Sequence, residues 1–165
     1  MKVITNRCYG GFSLSLEALN LTYKLQGKKL YFFVSNGYGD DAEYAPIKLV
    51  EIIDNEDAYS SVYAYTSPTR EDDSFVSPHM ISRENTYAIQ AIEQLGEKAN
   101  GRCAELRIVD LPDGCEYSLE EYDGQEWIAE TWFTVTKKQL VDGLSPELIE
   151  SMSEVSCIRL AETED

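Results

Sequence analysis

The apolar residues of the first third of the chain follow a strand spacing, then a helix spacing, then a strand spacing again. Residues 1–8 alternate loosely and predict a short strand. A helix beginning at Ser13 or Ser15 follows, because apolar residues then recur on one helical face, at Leu14, Ala18, Leu21 and Leu25. Gly27 stands where a helix C-terminus is expected, and residues 29–35 predict a buried strand.

The middle of the chain is more polar and its pattern is less regular. Residues 36–41 are predicted to form a loop, and residues 47–53 fit either a strand or a short helix. Within the polar stretch 54–82, residues 61–66 are the one strand candidate. A second main helix is predicted from about Ser82 to Leu95.

The C-terminal half carries the clearest strand pattern. Strands over 103–111, 115–122 and 126–135 are joined by turn sequences and predict an antiparallel meander. Helix-capping patterns at Thr136 and Ser145 predict two short helices, and residues 155–160 are a last strand candidate.

These elements predict an α+β fold. A mostly antiparallel sheet with a C-terminal-half meander packs against two main helices and one or two short ones. A chain of 165 residues fits a single domain, 1–165, in which residues 136–165 can be a C-terminal elaboration.

Charge narrows the functional classes. Thirty acidic residues against fourteen basic ones give a net charge of −16. Residues 110–130 contain eight acidic side chains and no Lys or Arg. A negative field repels phosphate backbones, so direct binding of DNA or RNA is disfavoured. Basic protein surfaces are the favoured partners, although acidity can also serve solubility alone.

Cysteine and hydropathy patterns point to a cytoplasmic protein. The four cysteines form no C-x-x-C pair and have no nearby His, so neither a metal site nor a cofactor is predicted. The chain shows no signal-peptide core and no membrane-length apolar run, which favours reduced thiols in the cytoplasm and no membrane association. The sequence leaves the oligomeric state open.

The meander is the main candidate site, because carboxylates at strand spacing can form a ridge of negative charge. Strict alternation places Glu126 and Glu130 on one face of the last meander strand and Trp127 on the other. With aromatic side chains as anchors, the predicted contacts to a partner protein are Glu116, Glu120, Glu121, Tyr122, Asp123, Glu126, Trp127 and Glu130. A solvated sheet face without a partner is the alternative interpretation.

A second candidate site is the glycine turn between the first strand and the first helix. Glycines let backbone approach a ligand, so Arg7, Tyr9, Gly10 and Gly11 could hold a small nucleotide-like molecule. The turn is neither a P-loop nor a dinucleotide-binding fingerprint, and a plain tight turn explains it as well. A hydrolytic enzyme is the third hypothesis. It ranks last because His79 is the only histidine and no nucleophile motif accompanies it. No catalytic residue is predicted.

Two blocks of the chain carry a family resemblance. VITNRCYGGFSLS (3–15) and LGEKANGRCAELRIVDLPDGCEYSLEEYDGQEWIAE (95–130) resemble a family of short, uncharacterised proteins encoded by bacteriophages and prophages. The resemblance covers about a third of the chain. The family ends soon after the second block, whereas this chain continues for about thirty residues, and no activity or catalytic residue comes with the resemblance.

What the resemblance implies is a setting inside an infected bacterium. In that setting the acidic meander leads to the main functional hypothesis: a small accessory protein that binds and inhibits a host protein with a basic surface. Its sharpest form is a counter-defence factor that imitates the phosphates of a nucleic acid. A small-ligand binding or sequestering protein is the alternative.

Overall fold

The computed structural model describes residues 1–36, 43–53 and 61–161. The predicted loop at 36–41, apart from Asn36, and the acidic end of the chain, 162–165, lie outside the described residues.

Nine strands and five helices follow one another within the described part of the chain. They are β1 (Lys2–Asn6), α1 (Leu16–Leu25), β2 (Tyr31–Ser35), β3 (Tyr44–Ile47), α2 (Leu49–Ile53), β4 (Val62–Tyr65), β5 (Phe75–Val76), α3 (Thr86–Leu95), β6 (Leu106–Asp110), β7 (Glu116–Tyr122), β8 (Gln125–Val135), α4 (Lys137–Asp142), α5 (Pro146–Met152) and β9 (Cys157–Leu160).

The strands form three sheets. β1 and β6 pair antiparallel, and β3, β2, β4 and β5 form an antiparallel sheet in that order. The third sheet has the order β7-β8-β9, in which β7 and β8 form an antiparallel hairpin and β9 runs parallel to β8. In the described ranges, no helix is both long and apolar enough to cross a bilayer.

The two main helices, α1 and α3, pack against each other and contribute buried side chains to the hydrophobic core. The Ser15 hydroxyl caps α1 by accepting from the backbone N–H of Ala18, and the Asn85 side chain caps α3 in the same way. The buried side of α1 is formed by Leu16, Ala18, Leu19 and Thr22. The predicted apolar face is therefore rotated: Leu14 precedes the helix, and Leu21 is only half-buried.

The predicted α+β class, with two main helices and a C-terminal three-stranded sheet, is confirmed. One strand pairs differently from the prediction, because β6 joins β1 rather than β7. The residues left undecided at 47–53 divide into the end of β3 and α2. Both predicted short helices form, with a capping box at Thr136 and a serine cap at Ser145.

Candidate functional site

A β-bulge decides which side chains share a face of the β7–β8 hairpin. Glu120 pairs with Trp127 and Leu119 with Ile128, but Ser118 pairs with Glu130. Ala129 is therefore an extra residue on β8, and the alternation of side chains shifts by one position beyond it. As a result Glu130 lies on the same face as Trp127, whereas strict alternation separated them.

The face that points away from the body of the protein, called the outer face from here on, combines acidic and aromatic side chains. Cross-strand partners lie on the same side of a sheet, so the register assigns its members. Its acidic and aromatic members are Glu116, Glu120, Tyr122, Trp127, Glu130 and Trp132, and Ser118 and Gln125 lie on the same face. The three glutamates are exposed, and Tyr122 and Trp127 are 70% and 41% exposed. Five of the eight predicted contact residues thus share one accessible surface.

Strand β9 contributes a single cation to this surface. The Arg159 guanidinium lies 3.7 Å from the centre of the Trp132 ring and donates to the Glu130 carboxylate at 2.8 Å. Glu130 faces Ser118, so its diagonal neighbours are Glu116 and Glu120. Arg159 therefore reduces the repulsion among three neighbouring carboxylates. Sequence reasoning missed both Trp132 and Arg159, because neither the bulge nor the parallel strand has a local signal.

Glu126 does not belong to the contact surface. It is only 5% exposed, on the opposite face of the hairpin from Trp127. Its two carboxylate oxygens accept from the Arg83 guanidinium at 2.5 and 3.2 Å, and one also accepts from the backbone N–H of Asn6 at 3.0 Å. The Arg83 guanidinium in turn stacks on the Phe12 ring at 3.3 Å. We therefore remove Glu126 from the predicted contacts, because a buried, paired carboxylate cannot meet a partner.

The last two predicted acids lie at the tip of the hairpin. Asp123 is exposed, and its backbone carbonyl accepts from the N–H of Gly10. Glu121 accepts from the backbone N–H of Gly124 and so stabilises the turn, although its side chain remains exposed. Among the described residues, no Lys or Arg forms an ion pair with Glu116, Glu120, Glu121 or Asp123.

The inner face of the hairpin is tied to the body through Tyr117. Its hydroxyl donates to the Glu84 carboxylate at 2.8 Å. Burial and this hydrogen bond raise the pKa of Tyr117 to about 12. Since the folded pKa lies above the ordinary value near 10, the protonated phenol stabilises the fold below about pH 10, and that contribution is lost as the pH rises towards 12.

This linkage predicts a pH-dependent difference between wild type and Tyr117→Phe, which has no phenol to titrate. Wild type is expected to be the more stable protein at pH 8, and the difference in free energy of unfolding is expected to shrink between about pH 10 and pH 12. Urea titrations at several pH values measure it. A difference that stays constant across this range would contradict the assigned hydrogen bond.

On one side the glycine turn, the second candidate site, packs against the tip of the β7–β8 hairpin. A Cβ added to Gly124 would lie 2.2 Å from the backbone nitrogen of Gly11. The fully buried Asn6 amide donates to the carbonyls of Cys8 and Gly124. Residues 3–15 and 95–130 thus meet at this point, where the tip of the hairpin packs on the turn.

On another side, the turn borders a cavity of about 440 Å³. Gly10 and Gly11 line it together with the start of α1, the β4–β5 hairpin and the segment around Arg102. His79, the residue considered for catalysis, also lines the cavity. Arg7 and Tyr9 do not line it, so the structure brings together only the glycines of the predicted ligand-binding set.

No protein-family model, curated protein or solved structure matches this chain.

Proposed function

We propose that this is an inhibitory binding protein whose outer face docks on a basic surface of another protein. The observation that carries the proposal is the convergence of three exposed glutamates and three aromatic side chains on one side of the β7–β8–β9 sheet. Such a target surface would be one that normally grips nucleic-acid phosphates, so occupying it would block that activity. No nucleic acid, membrane or cofactor takes part.

Electrostatics supports this choice of partner. The outer face holds Glu116 and Glu120, and the hairpin tip holds Glu121 and Asp123; none of the four forms an ion pair with a described Lys or Arg. Charges on one surface add to a field that steers a cationic partner and raises its association rate. The wider chain reinforces the field with its net charge of −16. Fast, salt-sensitive association is the expected signature.

Aromatic side chains supply the second part of the interaction. Tyr122 and Trp127 are exposed beside the glutamates, and Trp132 lies under Arg159. Large aromatic residues are enriched among those that contribute most to binding, because they bury much apolar area at little cost in side-chain entropy. A surface intended only for solubility has no need to expose tryptophan among its carboxylates.

The biological setting of the proposal comes from the resemblance to phage-encoded proteins. In that setting the target is a protein of the host bacterium, and a nucleic-acid-binding defence protein is the sharpest form of the proposal. The binding protein would then act in the host cytoplasm as a mimic of phosphate charge.

A charge-neutralised variant tests the proposal directly. Wild type and the triple variant Glu116→Gln, Glu120→Gln, Asp123→Asn are immobilised and used to capture proteins from a bacterial lysate at low salt. The control variant Asp73→Asn, Glu97→Gln, Glu150→Gln makes the same change in net charge at exposed positions away from the outer face. A partner bound by wild type and control is expected to bind the first triple variant at least tenfold more weakly.

Two further measurements separate the proposed mode from nonspecific charge attraction. Trp127→Ala is expected to weaken the same partner by about tenfold or more, since the ring is exposed and its loss leaves the fold intact. A double-stranded DNA oligonucleotide is expected to release the partner, because both ligands would occupy one basic surface. If both triple variants weaken capture equally and DNA has no effect, the proposal is wrong.

A further inference from the structure

The cavity beside the glycine turn is lined by apolar residues and an arginine, in a protein whose charge is otherwise mainly negative. Three separate stretches of the chain build it: the turn and the start of α1, the β4–β5 hairpin with the residues that follow it, and residues 101–103. Its volume of about 440 Å³ lies within the range of cavities that hold small organic ligands.

The buried part of the cavity lining is apolar. Leu14, Leu16, Ala64 and Val76 are buried side chains of the core, and half-buried Val62 lies beside them in β4. Burial of a ligand's apolar body against such a wall is favourable at about 25 cal/mol for each Å² removed from water. Glycine at 101 is required next to this wall, because a Cβ there would lie 2.6 Å from Ser13.

The exposed lining residues include Arg102 and His79 together with Phe75 and Cys103, and no Asp or Glu is among the described lining residues. Arg102 gives this exposed part of the lining its positive charge. No described carboxylate forms an ion pair with Arg102. In a chain with thirty acidic residues, an arginine left without an acid at the rim of a cavity is available to an anion from outside.

The orientation of His79 is set by a main-chain contact. Its Nδ1 lies 2.9 Å from the Phe12 carbonyl oxygen, which can only accept, so Nδ1 carries a proton. The ring is thereby held at the rim in a fixed orientation.

We propose that this cavity binds a small molecule with one acidic group on an apolar or aromatic body. The acidic group pairs with the exposed Arg102, and the body lies against the buried Leu14, Ala64 and Val76. A single arginine matches one carboxylate or phosphate better than the several charges of a nucleoside triphosphate. This site is separate from the outer face. The outer face binds a cationic partner, whereas the cavity binds an anion.

Three probe compounds test the class of ligand on the full-length protein. Naphthalene-2-carboxylate has both the acid and the aromatic body, naphthalene-2-carboxamide lacks the charge, and acetate lacks the body. Titration calorimetry is expected to detect binding of the carboxylate at millimolar concentration or below, at least tenfold weaker binding of the carboxamide, and none of acetate.

Variants locate the binding. Arg102→Gln is expected to weaken naphthalene-2-carboxylate about tenfold or more and to leave the carboxamide unchanged. Arg107→Gln removes the same charge from an exposed arginine of β6 outside the cavity and is expected to change neither. Val62→Phe adds volume at a residue that lines the cavity and is expected to weaken both compounds. Arg102 is exposed, so folding survives its replacement.

The reactivity of Cys103 gives an independent measure of where the compound binds. Cys103 is exposed and lines the cavity, whereas Cys157 lies in β9. Naphthalene-2-carboxylate is expected to slow the alkylation of Cys103 by iodoacetamide, measured by peptide mass spectrometry, without slowing that of Cys157. Absence of binding to folded protein, equal binding of carboxylate and carboxamide, or equal effects of Arg102→Gln and Arg107→Gln would each overturn the proposal. None of these results depends on the outer face.

Discussion

Replacing Gly124 with alanine is expected to lower the free energy of unfolding by more than about 3 kcal/mol. Gly124 has φ of 85°, a conformation that strains any residue with a Cβ. The added methyl group would also lie 2.2 Å from the backbone nitrogen of Gly11. A backbone atom cannot move aside as a flexible side chain can, so the hairpin must separate from the glycine turn.

Gly143→Ala is the matched control for this experiment. Gly143 has φ of 93°, but a Cβ there meets nothing within 4 Å. Its replacement is expected to cost about 1–2 kcal/mol, from backbone strain alone. Urea unfolding followed by tryptophan fluorescence compares the two, since Trp127 and Trp132 lie in the sheet concerned. Equal losses for both variants would show that close packing at Gly124 contributes nothing.

The second large effect is expected for Glu126→Ala, at about 3–5 kcal/mol of lost stability. The substitution leaves the Arg83 guanidinium, which is largely buried, without its carboxylate and removes the acceptor for the Asn6 N–H. Arg83 then keeps only its hydrogen bond to the Ile81 carbonyl and its contact with Phe12, and a mostly buried charge that loses its counter-ion costs more than the pair itself contributes.

Glu130→Ala provides the comparison on the same strand. Glu130 also pairs with an arginine, but both side chains are about half exposed, at 55% and 46%. Water screens this ion pair, so its loss is expected to cost less than about 1 kcal/mol. The same urea titrations measure both variants. Similar losses at the two positions would contradict the structural role assigned to Glu126.

These two predictions concern the same contact between distant parts of the chain. The Gly10–Gly11 turn and the Asp123–Gly124 tip touch, and Asn6 and Glu126 link the strands behind them. The outer face depends on this contact, because it fixes which side of the hairpin is turned towards solvent. A loss of partner binding in a Gly124 variant is therefore expected to follow from a loss of hairpin geometry.

The contact surface lies on the predicted hairpin, but its residues differ in part from the predicted set. The density of acids along residues 110–130 predicts Glu116, Glu120 and Glu130, with Tyr122 and Trp127 as aromatic anchors, and the register places these five on one face. Glu126 differs from them only in its surroundings, since nothing in the pattern of a strand reveals a buried arginine contributed from residue 83. Trp132 and Arg159 joined the surface through the bulge and through the parallel strand β9.

Local chemistry by itself determined the secondary-structure elements of this protein and the sign of its surface charge. The caps at Ser15, Thr136 and Ser145, the turn at Asp123-Gly124 and the excess of carboxylates act over a few residues or over the composition as a whole. Such signals can be read along the chain, because the interactions behind them are short in sequence.

Tertiary structure alone decided the partner of β6, the faces of β8, the burial of Glu126 and the existence of the cavity. Each of these depends on residues that are far apart in the chain, such as Asn6 with Gly124 or Gly10 with Cys103. One extra residue at Ala129 is enough to exchange the two faces of a strand. A carboxylate is solvated or desolvated according to what packs over it, and that is a property of the assembled fold.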